Sequence, residues 1–311
     1  MTRPLIGITS EMAAAGWGDR VREAVLLPAS YAWALQRAGC VPVLLPPAPY
    51  GAIGLVARLD AVLFSDGRDI DPLRGGAGVG DGAAGPGNGA AGPGNGAAGP
   101  GNGTAGPGNR TAGPGNRATE PDLVRDAGEF ALMRAAIAAR LPLLAVGRGM
   151  CVLNAVRGGS VTEAAPQAAG AAVASARNGG AGSGAAASDG VAPDGAAPDG
   201  AAARPAGREL RIGPASRLDR VFGPSLSVAA AAWPSGRHQG VHRLGGGLSA
   251  VAWAVDDAVV AVELTGHPFA IGLAWHPEQE EDLRIFEALR AAAAARRQQA
   301  AQPPAPVTPA A

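Results

Sequence analysis

The sequence predicts an α/β fold: three layers, with a mainly parallel sheet flanked by helices. Two observations carry this. Short apolar runs that read as strands alternate with amphipathic stretches that read as helices, and a sheet wound in that way buries both faces of its strands. Three of the apolar runs, ending near Ser65, Gly147 and His276, are each followed at once by a polar or glycine-rich loop. Ligands of such sheets sit beyond the C-terminal strand ends, so these three loops are the candidate site.

Along the chain, "LIGITS" is a strand, "LLPASYAWALQRAG" a helix ending at Gly39, and "VPVLLPP" a strand. "AIGLVARL" is a short helix, and "AVLFS" a buried strand closed by "DGRDIDP". "PDLVRDAGEFALMRAAIAARL" has Pro121 near its start and reads as a helix. "PLLAV" is a strand and "MCVLNAVRG" a helix closed by Gly158. "RELRI", "LSAVAWAV", "VVAVEL" and "FAIGLAW" are strands, and "EDLRIFEALRAAAAARR" is a terminal helix.

Two tracts interrupt this pattern. Residues 83–117 hold five seven-residue units, "AAGPGNG" three times and "TAGPGNR" twice. Nothing larger than Ala is available there to bury, so the ordering entropy has no offset. The expected organisation is one domain over 1–295, interrupted by disordered insertions at about 75–118 and 164–207, with a disordered tail over 296–311. What remains, roughly 200 residues, is enough for one core.

Composition narrows the function classes. The 311 residues carry 26 basic and 26 acidic groups, a net charge of zero, and all the basic residues are Arg. A balanced charge gives no footprint for nucleic acid or an anionic membrane surface. No apolar run approaches the roughly 18 residues of a membrane span, and the N-terminus has no signal-peptide pattern. Two cysteines, Cys40 and Cys151, do not make a disulfide framework. A cytoplasmic location is expected. The lysine-free, Ala-, Gly- and Arg-rich composition fits a GC-rich bacterial coding sequence. No His or third acid follows Asp69 and Asp71 at close spacing, so they are weak candidates for metal ligands; no metal and no cofactor are expected.

Seven segments, in order, resemble the class I glutamine amidotransferase superfamily, in its γ-glutamyl hydrolase-like (peptidase C26-type) branch, which includes the γ-glutamyl-γ-aminobutyrate hydrolases. They are "PLIGITS", "YAWALQRAGCVPVLLPP", "LDAVLFSDGRDIDP", "RDAGEF", "LPLLAVGRGMCVLNAVRGGSV", "SGRHQGV" and "AIGLAWHPEQ". The resemblance implies a flavodoxin-like fold and acyl transfer from a γ-glutamyl amide to a cysteine thiolate, then to water. A helix N-terminus lowers the thiol pKa, a His takes the proton, and a Glu orients the His. His276 and Glu278 match that pair. Backbone N–H groups of Gly67 and Arg148 match the oxyanion donors.

The departures are specific. The family elbow Cys-Arg-Gly-Met-Gln is here Gly147-Arg148-Gly149-Met150-Cys151, so Gly147 holds the position of the nucleophile. Cys151 lies one helical turn further, about 6 Å along the axis, and reads as a packing residue. In the glycine loop Ser65-Asp66-Gly67-Arg68, two positions that are usually small carry charge. In the Ser-x-His-His-Gln segment Arg237 replaces the first His, while His238 and Gln239 remain. Arg68, His238 and Gln239 are candidate substrate-binding residues. Three functions compete. The first is an impaired amidotransferase-like protein that binds a small γ-glutamyl compound or a partner enzyme, or assembles with itself. The second is an active hydrolase using His276 and Glu278 by another route. The third is an interaction protein that uses its repeat tracts.

Overall fold

The computed structural model describes residues 2–48, 50–71, 74, 122–162, 208–233 and 239–301. The chain divides into two units, one made of Met1–Ala77 with Ala118–Ala311 and the other of Gly78–Arg117; the described residues all belong to the first. The insertions expected at 75–118 and 164–207 fall almost wholly outside the described residues.

A nine-stranded sheet forms the middle layer. Its first half is parallel: β4 (Val41–Leu45), β1 (Leu5–Thr9), β5 (Ala61–Phe64), β6 (Leu143–Val146) and β13 (Ala270–Leu273) lie side by side in that order. The sheet then continues antiparallel through β12 (Val259–Leu264), β11 (Leu248–Trp253), β8 (Arg208–Ile212) and β9 (Ser225–Val228). The expected α/β architecture stands, and the parallel strands are those that end at the three candidate loops. Within the extension β11 joins β12, and β12 joins β13, by short turns, as antiparallel neighbours allow.

Alternation along the buried strands builds two cores. Ala61, Leu63, Leu144 and Val146 face one way and pack with Tyr31 and Leu35 of α1 (Ala29–Arg37) and with Ile285, Phe286 and Leu289 of α6 (Arg284–Ala301). Val62, Phe64, Leu143 and Ala145 face the other way. They meet Phe130 and Met133 of α3 (Leu123–Ala138) and Met150, Val152 and Leu153 of α4 (Arg148–Val156). Burying each large apolar side chain contributes about 1.5–3 kcal/mol. Two short helices complete the set: α2 (Ala52–Val56) beside the second core, and α5 (Arg217–Phe222), whose Leu218 enters the first. The helix α3 starts at Asp122, whose side chain accepts from Arg125 N at 3.0 Å, a cap worth about 1 kcal/mol.

Besides β9 and α5, which the sequence reading did not single out, three features depart from it. A hairpin, β2 (Glu11–Trp17) against β3 (Arg20–Leu26), stands where no element was expected. A second two-stranded pair joins β7 (Ser160–Thr162) to β10 (Gly240–Arg243). The tail expected from 296 corrects to helix through Ala301. There Arg296 donates to Leu59 O at 3.1 Å and Arg297 to Thr2 Oγ1 at 2.6 Å, so this end is anchored to the body. Among the described residues no helix is long and apolar enough to cross a membrane.

Candidate functional site

The elbow has the shape its sequence requires. After β6 the chain turns at Gly147, with φ 53° and ψ −115°, and enters α4 at once. Gly147 N donates to Leu273 O of the neighbouring β13 at 2.8 Å, and Gly147 O accepts from Met150 N at 3.0 Å. Positive φ is cheap for glycine and strained for any other residue. Gly149 serves packing, because a Cβ there would stand 2.6 Å from Phe64 O of β5.

The space that a side chain at 147 would need is filled. A Cβ on Gly147 would lie 2.6 Å from Asp66 Cγ and closer still to Asp66 Oδ1. Asp66 Oδ1 accepts from Arg148 N, the expected oxyanion donor, at 2.7 Å. Asp66 Oδ2 lies 3.5 Å from His276 Nε2. A carboxylate from the glycine loop thus takes the contacts that the resemblance assigns to a thiolate and its oxyanion.

On the other side, His276 and Glu278 are brought together as expected. His276 Nδ1 is 2.9 Å from Glu278 Oε1, and both residues are buried. His276 N is fixed by Ala232 O at 2.7 Å. Burial alone would lower the imidazole pKa. The hydrogen bond and charge of Glu278, with the charge of Asp66, outweigh that and hold it above its usual value. The ring stands between two carboxylates, Glu278 at Nδ1 and Asp66 at Nε2. Tyr31, whose hydroxyl accepts from Asp66 N at 3.1 Å, has its own pKa raised by burial and by the charges of Glu278 and Asp66.

Beneath the loops lies a buried ionic network that explains the "RDAGEF" segment. Arg148 pairs with both Asp126 and Glu129. Arg125 donates Nε to Glu129 at 2.8 Å and Nη2 to Ser65 O, Ser65 Oγ and Asp66 O at 3.3, 3.0 and 2.9 Å. Asp126 Oδ2 accepts from Asp71 N at 2.9 Å. Both Arg125 and Arg148 are buried, so each needs its partners to offset desolvation. The network ties the glycine loop, α3 and the elbow helix into one frame. Arg125 also lines the cavity, a role the sequence reading gave to none of the residues on α3.

The remaining expected site residues separate. Gly67 lines the cavity and lies against Arg125. The Arg148 side chain is in the network rather than in the cavity. Arg68 is exposed and does not line the cavity. Gln239 clamps the glycine loop: its carboxamide accepts from Ile70 N at 3.0 Å and donates to Ile70 O at 2.8 Å. His238 lies outside the described residues. Cys151 is buried, donates to Gln239 O at 3.5 Å, and has its thiol pKa pushed up to about 12 by burial and by Asp69 and Asp66. It is a packing residue with no access to thiolate chemistry.

Asp66, Gly67, Tyr31, Arg125, His276 and Glu278 open onto one cavity of about 350 Å³, walled further by Glu11, Trp233 and Leu26–Pro28. A sheet with its cavity at the parallel strand ends, an elbow, and a His–Glu pair defines a glutamine amidotransferase-like protein. The chain belongs to the peptidase C26 family, whose model matches residues 4–80 and 99–278. It is 30% identical over 292 residues to a Mycobacterium tuberculosis protein provisionally named a glutamine amidotransferase, covering 93% of this chain and 74% of that one. It is 46% identical over 59 residues, 18% of this chain and 21% of the relative, to a Rickettsia prowazekii protein provisionally named glutamine amidotransferase-like. In fold it is similar to a Thermoplasma acidophilum protein described as a GMP synthase subunit, with a TM-score of 0.52 at 10% identity, covering 96% and 98% of the two chains.

Proposed function

We propose that this amidotransferase-like protein does not form a thioester and acts by binding a small γ-glutamyl-related ligand or a partner. The observation that supports this reading is Asp66: its carboxylate takes both the side-chain space of residue 147 and the Arg148 N–H. In triad enzymes loss of the nucleophile costs on the order of a millionfold in turnover. Here the vacated position is also blocked, so a substrate carbonyl has no route to the oxyanion donor.

The alternative hydrolytic routes meet the same geometry. His276 holds Glu278 at Nδ1 and meets Asp66, not a thiol, at Nε2, so the ring edge that would take a proton from water already faces a carboxylate. Cys151 is buried and protonated. The test is turnover of glutamine and γ-glutamyl-γ-aminobutyrate by the purified chain, with a glutamine-analogue electrophile as a label. The expected result is background hydrolysis, with Cys40 and Cys151 unlabelled. Turnover that disappears in His276→Ala overturns the proposal.

A further inference from the structure

We propose that the cavity at Asp66 is a binding site for a small organic ammonium ion, a primary alkylamine, and discriminates against carboxylates. This rests on the reading that thioester chemistry has been given up, and it names the ligand class that the altered site takes.

The first argument is positional. Hydrolysis of a γ-glutamyl amide leaves a carboxylic acid and an amine. The acyl end of such a substrate belongs at the elbow, beside the Arg148 N–H. That N–H is taken at 2.7 Å by Asp66, so the protein supplies its own carboxylate where the acid half would lie. What the cavity still lacks is the amine half. An alkylammonium against Asp66 recreates the acid–amine pair of a cleaved amide.

The second argument is charge. Among the described residues the acidic and basic side chains at and directly beneath the cavity are the carboxylates Glu11, Asp66, Asp126, Glu129 and Glu278, and the basic groups Arg125, Arg148 and His276. Five carboxylates against three basic groups leave an acidic excess. The cations are already engaged: Arg148 with Asp126 and Glu129, Arg125 with Glu129 and Glu11, His276 with Glu278 and Asp66. Two of the carboxylates keep exposed surface on the cavity, the Asp66 side chain at 22% and that of Glu11 at 34%. An incoming carboxylate would face repulsion with no unengaged cation among the described residues that line the cavity, whereas an ammonium gains charge-assisted bonds.

The third argument is shape. The cavity volume of about 350 Å³ lies at the small end of ligand sites. Leu26, Leu27, Pro28 and Trp233 give it apolar wall beside the acidic floor. A short alkyl chain with a cationic head fits both surfaces, and the aromatic ring adds cation–π attraction if the head approaches it.

The experiment is calorimetric titration of the full-length protein with n-butylamine hydrochloride, sodium butyrate and 4-aminobutanoate at neutral pH. The amine is expected to bind and butyrate not, with the zwitterion weaker than the amine. Asp66→Asn is expected to weaken amine binding by about tenfold or more, the worth of one charge-assisted contact. Glu11→Gln, a change at the half-exposed rim, should weaken it by a smaller factor and guards against a fold failure at Asp66. Butyrate binding as tightly as butylamine, or amine binding indifferent to both variants, overturns the inference while leaving the loss of catalysis untouched. Conversely, His276-dependent turnover of a γ-glutamyl amide overturns the loss of catalysis, whatever the amine result.

Discussion

On one side His276 and Glu278 make the contact that the resemblance assigns to them; on the other, Asp66 of the glycine loop stands against Gly147 of the elbow. The elbow carries no side chain at 147, and the loop facing it carries one that fills the same space. The difference teaches that a carboxylate from a neighbouring loop can occupy the place that a side chain at the elbow would take. An anion still sits at the helix N-terminus, where the α4 dipole favours it, and still faces the imidazole. The His–Glu pair therefore faces Asp66, with His276 Nε2 3.5 Å from its carboxylate.

The largest effect should come from the frame the two sides share. Glu129→Ala leaves Arg148 and Arg125 short of a buried partner, at a cost of about 3–5 kcal/mol. The midpoint of thermal unfolding should fall on the order of 10 °C for a domain of this size, read by calorimetry. Next comes the elbow itself. Gly147→Ala should cost about 1–3 kcal/mol, from strain at positive φ and from contact with Asp66. Adding Asp66→Gly should return part of that loss, so the two changes are non-additive in a double-mutant cycle. Simple additivity would show that the two residues do not share one space.

A smaller effect separates the two sides by pH. The folded state raises the His276 pKa, so its contribution to stability is complete below the unfolded value of about 6.5 and is lost as pH rises through the folded value. Asp66→Asn removes one of the raising charges. The His276 titration followed by NMR should move down, and the decline of stability, which still begins near the unfolded value, should be complete at lower pH. Glu278→Gln should move it further, because Glu278 makes the hydrogen bond. The smallest effect is at Cys151: Cys151→Ala should leave ligand binding unchanged, and the native thiol should resist iodoacetamide at neutral pH.

Much of this was legible in the sequence, for reasons that can be stated. Strands buried on both faces read as unbroken apolar runs, so β5, β6 and β13 stood out, and the loops after them located the site. Gly147 declared the missing side chain because the elbow's flanks kept their pattern. The hairpin β2–β3 was missed because "EMAAAGW" carries three alanines and no apolar alternation, and only its pairing with "RVREAVL" makes it a strand. Gln239 was read as a ligand residue because an amide suits either role; only its two bonds to Ile70 decide for the loop clamp. The role of Asp66 was hidden for a different reason. Its charge at a small-residue position was visible, but that it reaches across to residue 147 depends on two loops 81 residues apart in sequence meeting in space, which no local pattern encodes.

The most direct test of the account is restoration of the thiol with and without the carboxylate. Gly147→Cys alone and the pair Asp66→Gly/Gly147→Cys would be compared for release of p-nitroaniline from γ-glutamyl-p-nitroanilide, with the acyl-enzyme sought by mass spectrometry. The account predicts that the single variant stays at background, its thiol crowded by Asp66. The pair should form an acyl-enzyme and rise on the order of a thousandfold or more above the single variant. A single variant that turns over as fast as the pair would contradict it, because Asp66 would then not stand in the place of the nucleophile.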